Sequence, residues 1–453
     1  MHRIEPARGR PSPRFARLAA AALASACLLV LPRGVAAQNP TTDSLRVQIR
    51  QLMQQVDSLR AAIARLGPGG VPAAAAEEDP LARIRAAAAA AAAAADTTAT
   101  PEPAQQTFVG RQRNLSALNP EISVSGDVFA FSRSDASRQD NFVAREFELS
   151  FVSNLDPFSR AKVFVAHHTT GGDIPPFGAP EAAGESEVEV EEGYVEWVGL
   201  TGGLSVAVGK FRQRFGKLNR WHAHALPAQQ LPLPVIAFLG EEGLAQSGVS
   251  VHWLTPVHGF GTWELWGELT RSGNETAFGG SHGLSGLAHV NAFWDVNRST
   301  YLEIGVSGLT GRYDTESLPD AALPTDTRLI GADFTLDWRP PASGRFRQAT
   351  LHGGAMLNRR VSNDGSALDA RGAFLIGEYK FATQWILGGR YEYTQNPDNP
   401  DEHAWLAGPS LTWWQSEFVR LRTAYEIYRG QDRFGQFVLQ ATFAMGPHKH
   451  ENY

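Results

Sequence analysis

The sequence predicts an all-β fold: a transmembrane antiparallel up-and-down β-barrel of about 16 strands, preceded by a short coiled-coil helix and a flexible linker. Three observations carry this. From about Glu121 to Met445, segments of roughly ten residues alternate apolar and polar positions, as strands do when one face meets lipid and the other a watery lumen. In Val419 to Tyr428, for example, Val419, Leu421, Thr423, Tyr425 and Ile427 share one face, and Arg420, Arg422, Ala424, Glu426 and Tyr428 the other. Short turns and long loops take turns between segments, the asymmetry of barrels with one sheltered and one outer end. Past the N-terminal region, no apolar run approaches the ~18 residues that a membrane helix needs.

Residues 1–37 read as an export signal. Arg3, Arg8, Arg10, Arg14 and Arg17 precede the apolar run Leu18 to Leu31, and Val35-Ala36-Ala37 supplies small residues for cleavage. Cys27, the one cysteine of the 453 residues, lies inside that run with Leu28-Leu29-Val30-Leu31 after it, a poor place for lipidation. The signal holds those arginines and Arg33 against Glu5, so its removal takes the formal charge from −6 to about −11. An acidic product of this kind argues against a nucleic-acid partner, which needs a basic patch.

Residues 38–66 read as a periplasmic coiled-coil helix. Leu45, Leu52, Leu59 and Leu66 take d positions, and Ile49, Val56 and Ile63 take a positions. Residues 67–120 form an Ala/Pro-rich linker: Gly67-Pro68-Gly69-Gly70 stops the helix, Ala86 to Ala95 is an alanine run, and Pro101 and Pro103 favour extended chain.

The barrel spans 121–446, with strands near 121–133, 143–154, 160–170, 187–199, 203–210, 247–255, 260–271, 286–297, 299–309, 327–339, 346–359, 371–382, 384–395, 404–414, 417–428 and 434–445. Tight connections follow even-numbered strands (155–158, 201–202, 256–259, 298, 340–345, 415–416), and long polar ones follow odd-numbered strands (171–186, 211–246, 310–326). An even strand number returns both ends of the barrel to the periplasm. Outward sets include Phe147/Leu149/Phe151, Trp263/Leu265/Leu269, Phe334/Leu336/Trp338, Trp385/Leu387/Tyr391/Tyr393 and Leu439/Phe443, whose Trp and Tyr residues gather near strand ends. Pro409 inside a strand calls for a bulge. Residues 447–453, with His448-Lys449-His450, form a short tail.

The inward register carries Glu146, Glu148, Lys162, Glu264, Glu268, Asp295, Glu303 and Asp333, then Asp337, Glu378, Lys380, Arg390, Glu392, Arg420, Arg422 and Glu426. Such charges need water or partners. Sixteen strands enclose more space than side chains fill, which favours a wet, acidic pore with mild cation preference over a lumen plugged by salt bridges. Loop 211–246 is too apolar to float: Leu226, Leu231, Leu233, Val235, Ile236, Phe238, Leu239 and Leu244 need burial, which folding into the barrel supplies. An outer cap or a subunit contact are the alternatives.

Val208-Gly209-Lys210-Phe211-Arg212-Gln213-Arg214-Phe215-Gly216, at the start of this loop, resembles the corresponding stretch of phosphate-selective (O/P type) porins. A coiled coil before a sixteen-stranded barrel is similar to the coiled-coil-bearing trimeric porins. The resemblance implies a homotrimer in outer-membrane lipid whose inward loop sets selectivity, with Arg212, Arg214, Lys217 and Arg220 as basic residues at the mouth.

The same loop holds Trp221-His222-Ala223-His224 and Glu241-Glu242. His-x-His on extended chain puts both rings on one side, and Glu241 and Glu242 are the carboxylates that would complete a divalent-metal site. Because no close zinc-site spacing is present, hydrogen bonding in a polar lumen is the favoured account of His222 and His224, as of His168, His252, His289 and His352. No motif asks for a cofactor. An enzyme would need a nucleophile and base together; G-x-S-x-G is absent, leaving Ser247 and Ser250 near His252. The leading function is passive diffusion of small hydrophilic solutes or ions; alternatives are a structural anchor and a divalent-metal-selective uptake channel.

Overall fold

The structure, a computed structural model, describes residues 120–135, 141–178, 186–256, 261–280, 283–313, 324–362 and 365–446. The export signal, coiled coil, linker and tail lie outside the described residues. Sixteen strands close into one antiparallel barrel: β1 (Glu121–Arg133), β2 (Asn141–Asn154), β3 (Ser159–Thr169), β4 (Ser186–Leu200), β5 (Leu204–Arg212), β6 (Ala245–Leu254), β7 (Thr262–Arg271), β8 (Leu284–Asn297), β9 (Thr300–Arg312), β10 (Pro324–Trp338), β11 (Gln348–Ser362), β12 (Ala367–Lys380), β13 (Trp385–Gln395), β14 (His403–Trp414), β15 (Val419–Arg429) and β16 (Arg433–Met445). Each strand pairs with its chain neighbours and β1 closes on β16, so every backbone edge is used.

The two-residue period sorts the faces as expected. On β15 the Arg420, Arg422, Ala424, Glu426 and Tyr428 side is buried inward, while Tyr425 is half exposed outside. The outer face carries an apolar belt that includes Phe147, Leu149, Leu269, Ile330, Leu387 and Leu439, all exposed. Such a surface is stable against lipid rather than water. Trp197, Trp253, Trp263, Trp338, Trp385 and Trp413 all stand at the end with the short turns, and Trp385 and Trp413 stack 6.0 Å apart across β13 and β14. This is the aromatic girdle of a membrane interface.

Several details differ from expectation. The connection 339–347 is long for the short-turn end, and 430–432 is tight for the other. Pro409 makes no bulge. It pairs with Gly389 of β13, and the β14–β15 ladder skips positions 408 and 409 with its register kept. A Cβ on Gly408 would stand 2.2 Å from the Tyr425 carbonyl oxygen, so the strands pass too closely there for any other residue.

Bulges occur elsewhere instead. In the β1–β2 ladder the register shifts beside Asp127, leaving Arg145 as the extra residue. In the β3–β4 ladder it shifts between Phe164 and Val165, leaving Glu191 extra. Each bulge turns two consecutive charged residues inward, Arg145 with Glu146 and Glu191 with Glu192, all four buried.

Candidate functional site

Loop 211–246 leaves β5 and crosses the lumen. Phe215, Leu218, Leu226, Leu231, Val235 and Phe238 are among its buried residues, and they share one cluster with the inward wall residues Leu287, Leu309, Leu329, Met356 and Ile376. Each large apolar side chain withdrawn from water contributes about 1.5–3 kcal/mol. The loop's position therefore does not hang on any single ion pair. Wall glycines make room for it. A Cβ on Gly331 would stand 2.8 Å from Phe215, and one on Gly372 would stand 2.4 Å from Pro234.

Within the loop, Pro232 caps a short helix, α1 (Leu233–Leu239), whose first free N–H, that of Leu233, donates to the Glu392 carboxylate of β13 at 2.8 Å. An acidic acceptor at a helix start satisfies an orphan donor and the helix dipole together. At the neck, Asn219 ties both ends of the loop. Its amide donates to the Gln213 carbonyl at 2.8 Å and the Leu244 carbonyl at 3.1 Å, and its oxygen accepts the Leu244 N–H at 2.7 Å.

Arginines of the wall hold the loop's backbone. Arg420 donates to the His224 carbonyl at 2.7 Å, Arg422 to the Leu226 carbonyl at 3.1 Å, and Arg145 to the Gln229 carbonyl. The connection after β3 folds in as well, which the sequence did not signal: the Ile174 backbone and the Gln230 amide exchange hydrogen bonds at 2.8 and 2.9 Å.

Where the loop meets β2, β3 and β4, imidazoles and carboxylates converge. His222 Nδ1 lies 2.6 Å from Glu191 and 2.7 Å from Glu148, and its Nε2 lies 2.9 Å from Glu192. His224 Nδ1 is 2.9 Å from Glu146, and His168 Nε2 is 3.1 Å from Glu191. Arg212 reaches the other side of Glu191 at 3.0 Å. Burial alone would lower the His222 pKa, but the flanking Glu148 and Glu191 outweigh it and hold the ring well above its ordinary value. With carboxylates on both ring nitrogens, His222 is an imidazolium in the metal-free protein.

Space remains on both sides of this cluster. A cavity of about 410 Å³ towards the short-turn end is lined by Arg160, Tyr194, Arg214, Arg220, His252 and Glu264, among others. A smaller one of about 80 Å³ is lined by Glu146, His168, Asp173, Arg212, Glu241 and Glu242, among others. Along β4, Glu191 and Glu192 precede Tyr194 of the larger cavity; along β3, His168 and Arg160 mark the two sides. The cluster thus lies between the cavities.

The expected site residues divide accordingly. Arg214 and Arg220 line the larger cavity, Arg214 over the Trp266 ring at 4.6 Å. Arg212 and Lys217 are not open basic groups at a mouth: Arg212 is buried on Glu191, and Lys217 pairs with Glu303. Glu241 and Glu242 do not complete a set with His222 and His224. Both are exposed, and Glu242 stands 3.9 Å from His168 and 3.7 Å from Arg212. The carboxylates beside His222 and His224 come from the wall, and His224 lies in a 3-10 turn (Ala223–Ala225) rather than extended chain. The rings still stack, 5.8 Å apart.

Of the lumen charges, Glu264 faces His252 at 3.5 Å, and Glu268 accepts from Gln213 and Ser250. Asp333 lies beside Gly216 at the wall under the loop. Glu378 and Lys380 are half-buried on the inward face of β12. Arg390, Arg420 and Arg422 do not line water, as a wet pore would have them do. They are buried instead, Arg390 paired with Glu392 and Glu426, because the loop and the segment 171–178 cover that side of the lumen. Ser250 gives its hydroxyl to Glu268 while His252 stacks on Trp266, so these two do not form a nucleophile–base pair. His289 and His352 hydrogen-bond to Ser307 and Thr335, as a polar lumen predicts.

No family model matches the chain. An uncharacterised protein of Aquifex aeolicus (strain VF5) is 27% identical over 307 residues, which are 57% of this chain and 62% of that protein. The chain thus spans less than two thirds of this relative's length. Among solved structures, OmpT expressed in the outer membrane of Vibrio cholerae is 10% identical with a TM-score of 0.49, covering 72% of this chain and 97% of its own. An anion-selective porin from Comamonas acidovorans is 11% identical, with a TM-score of 0.48 and coverage of 72% and 99%. The outer membrane channel DcaP of Acinetobacter baumannii is 11% identical, with a TM-score of 0.46 and coverage of 72% and 97%.

Proposed function

We propose that this chain is an outer-membrane porin that lets small hydrophilic solutes or ions diffuse passively through a barrel narrowed by loop 211–246. The observation that carries the reading is the loop itself. It is held across the lumen of a closed, lipid-faced barrel by wall arginines and an apolar cluster, leaving polar cavities on either side of its contact with β2 to β4. A barrel serving purely as an anchor has no use for a polar path of that kind. The functional unit is a homotrimer, and the path selects mildly for cations, since Glu146, Asp173, Glu241 and Glu242 outnumber Arg145 and Arg212 around the smaller cavity.

Reconstitution of the full chain in a planar bilayer tests this. Conductance appearing in groups of three equal steps is expected. Insertion without current, verified by protection of the barrel from protease, would refute the porin reading.

A further inference from the structure

We propose that Glu148, Glu191 and His222, with Glu146, His168 and His224 adjoining, form a binding site for a divalent transition-metal cation that ties loop 211–246 to the barrel wall. The site stands whether or not the barrel conducts. Three overlapping sets of donors meet there: Glu148/Glu191/His222, Glu146/Glu148/His224 and Glu146/His168/Glu191, each with its donor atoms within 4.8 Å of one another. Imidazole nitrogen with carboxylate oxygen is the donor mixture of zinc and its first-row neighbours.

The second observation is Glu148. Its side chain is 1% exposed, and neither carboxylate oxygen has a hydrogen bond of good geometry. The nearest nitrogen, His222 Nδ1 at 2.7 Å, carries a single hydrogen and directs it to Glu191 at 2.6 Å. A buried carboxylate in that condition is costly. One cation between Glu148, Glu191 and the ring resolves it, releasing the Nδ1 proton of His222 to solvent and taking the oxygen of Glu191 that faces His222 while Arg212 keeps the other. The donors are also held in place: Glu191 is the extra residue of a bulge, Phe164 packs on the His222 ring 4.8 Å away, and Arg420 grips the His224 carbonyl. Glu148 and Glu191 come from the wall and His222 from the loop, so a bound cation joins the two.

The test uses the purified full chain in detergent. Titration with Co²⁺ should give visible absorption bands, displaced by one equivalent of Zn²⁺. Glu148→Gln, which keeps the shape, and His222→Ala should each weaken binding at least about tenfold, as loss of a metal contact does. His352→Ala, a lumen histidine bound to Thr335, should bind as the parent does. X-ray absorption of the zinc-loaded parent protein should show imidazole in the shell, which keeps the proposal testable if a variant misfolds. Absence of cobalt bands, parental affinity in both Glu148→Gln and His222→Ala, or a shell without imidazole would overturn the site.

Discussion

Arg420 on β15 donates from Nη2 to the carbonyl oxygen of His224 at 2.7 Å, a contact between residues 196 positions apart. It joins the loop that leaves β5 to the far wall of the barrel. Arg422 repeats the grip on Leu226 at 3.1 Å. A hydrogen bond from a charged donor contributes about 1.5–3 kcal/mol, and losing it leaves a buried carbonyl unpaired. Arg420→Ala/Arg422→Ala should therefore loosen the loop while the barrel stays closed. Single-channel recordings should show larger, flickering steps, and protease should cut within 222–232 sooner. Parental step size and cleavage rate would mean the apolar cluster alone fixes the loop.

Gly372 tests the other half of that balance. A Cβ there would stand 2.4 Å from Pro234, so the helix α1 rests directly on the strand. Gly372→Leu should either displace the helix or lower stability by about 1–3 kcal/mol, the usual cost of overpacking. Gly308→Ala serves as control, because nothing lies within 4 Å of its added methyl. Thermal unfolding in detergent checks both: a lower midpoint for the leucine variant beside an unchanged alanine variant is expected.

Ion preference follows from which charges face open space. In the larger cavity Arg160, Arg214 and Arg220 balance Glu196, Glu264 and Glu303, while around the smaller one Glu146, Asp173, Glu241 and Glu242 outnumber Arg145 and Arg212. In a salt gradient the reversal potential should have the sign of mild cation selectivity. Glu264→Gln should move it towards anions, and Arg214→Gln further towards cations. The shifts should shrink at high salt, where the screening length falls to about 3 Å at 1 M. An anion-selective parent channel would refute the assignment of this path.

All sixteen strands and the inward loop were legible in the sequence because both rest on local pattern. Alternation places Arg420 and Arg422 inside and Tyr425 outside, and the apolar content of 226–244 demands burial. What the pattern hid depends on partners distant in the chain. Nothing near Leu233 announces that its N–H meets Glu392, and nothing near Arg422 announces that it grips a backbone carbonyl rather than water. The bulges hid for a different reason. A strict period of two would send Arg145 to the lipid face, and it gives no sign that Glu191 and Glu192 both turn inward, since one extra residue leaves no compositional mark. The clue that was present is energetic: an arginine two residues before Phe147 in lipid-facing register is expensive, and a bulge removes the expense.

Deleting Glu191 leaves Val190 opposite Val165 and Glu192 opposite Phe164, so the β3–β4 ladder becomes regular and every other residue keeps its partner and its face. The barrel should still close. Arg212, buried at 3% exposure, loses its 3.0 Å contact with Glu191, and His222 loses one of its carboxylates. Breaking a buried pair by removing one partner costs up to about 3–5 kcal/mol, and here the exposed carboxylate of Glu242 at 3.7 Å is what Arg212 keeps in place of the buried one. The deletion should lower the unfolding midpoint well beyond the effect of Glu187→Gln, which changes an exposed residue of the same strand. Replacing Arg212 with Met in the deletion background should restore much of the loss by removing the stranded charge. If the double change is no more stable than the deletion alone, the bulge serves backbone geometry and not the placement of Glu191.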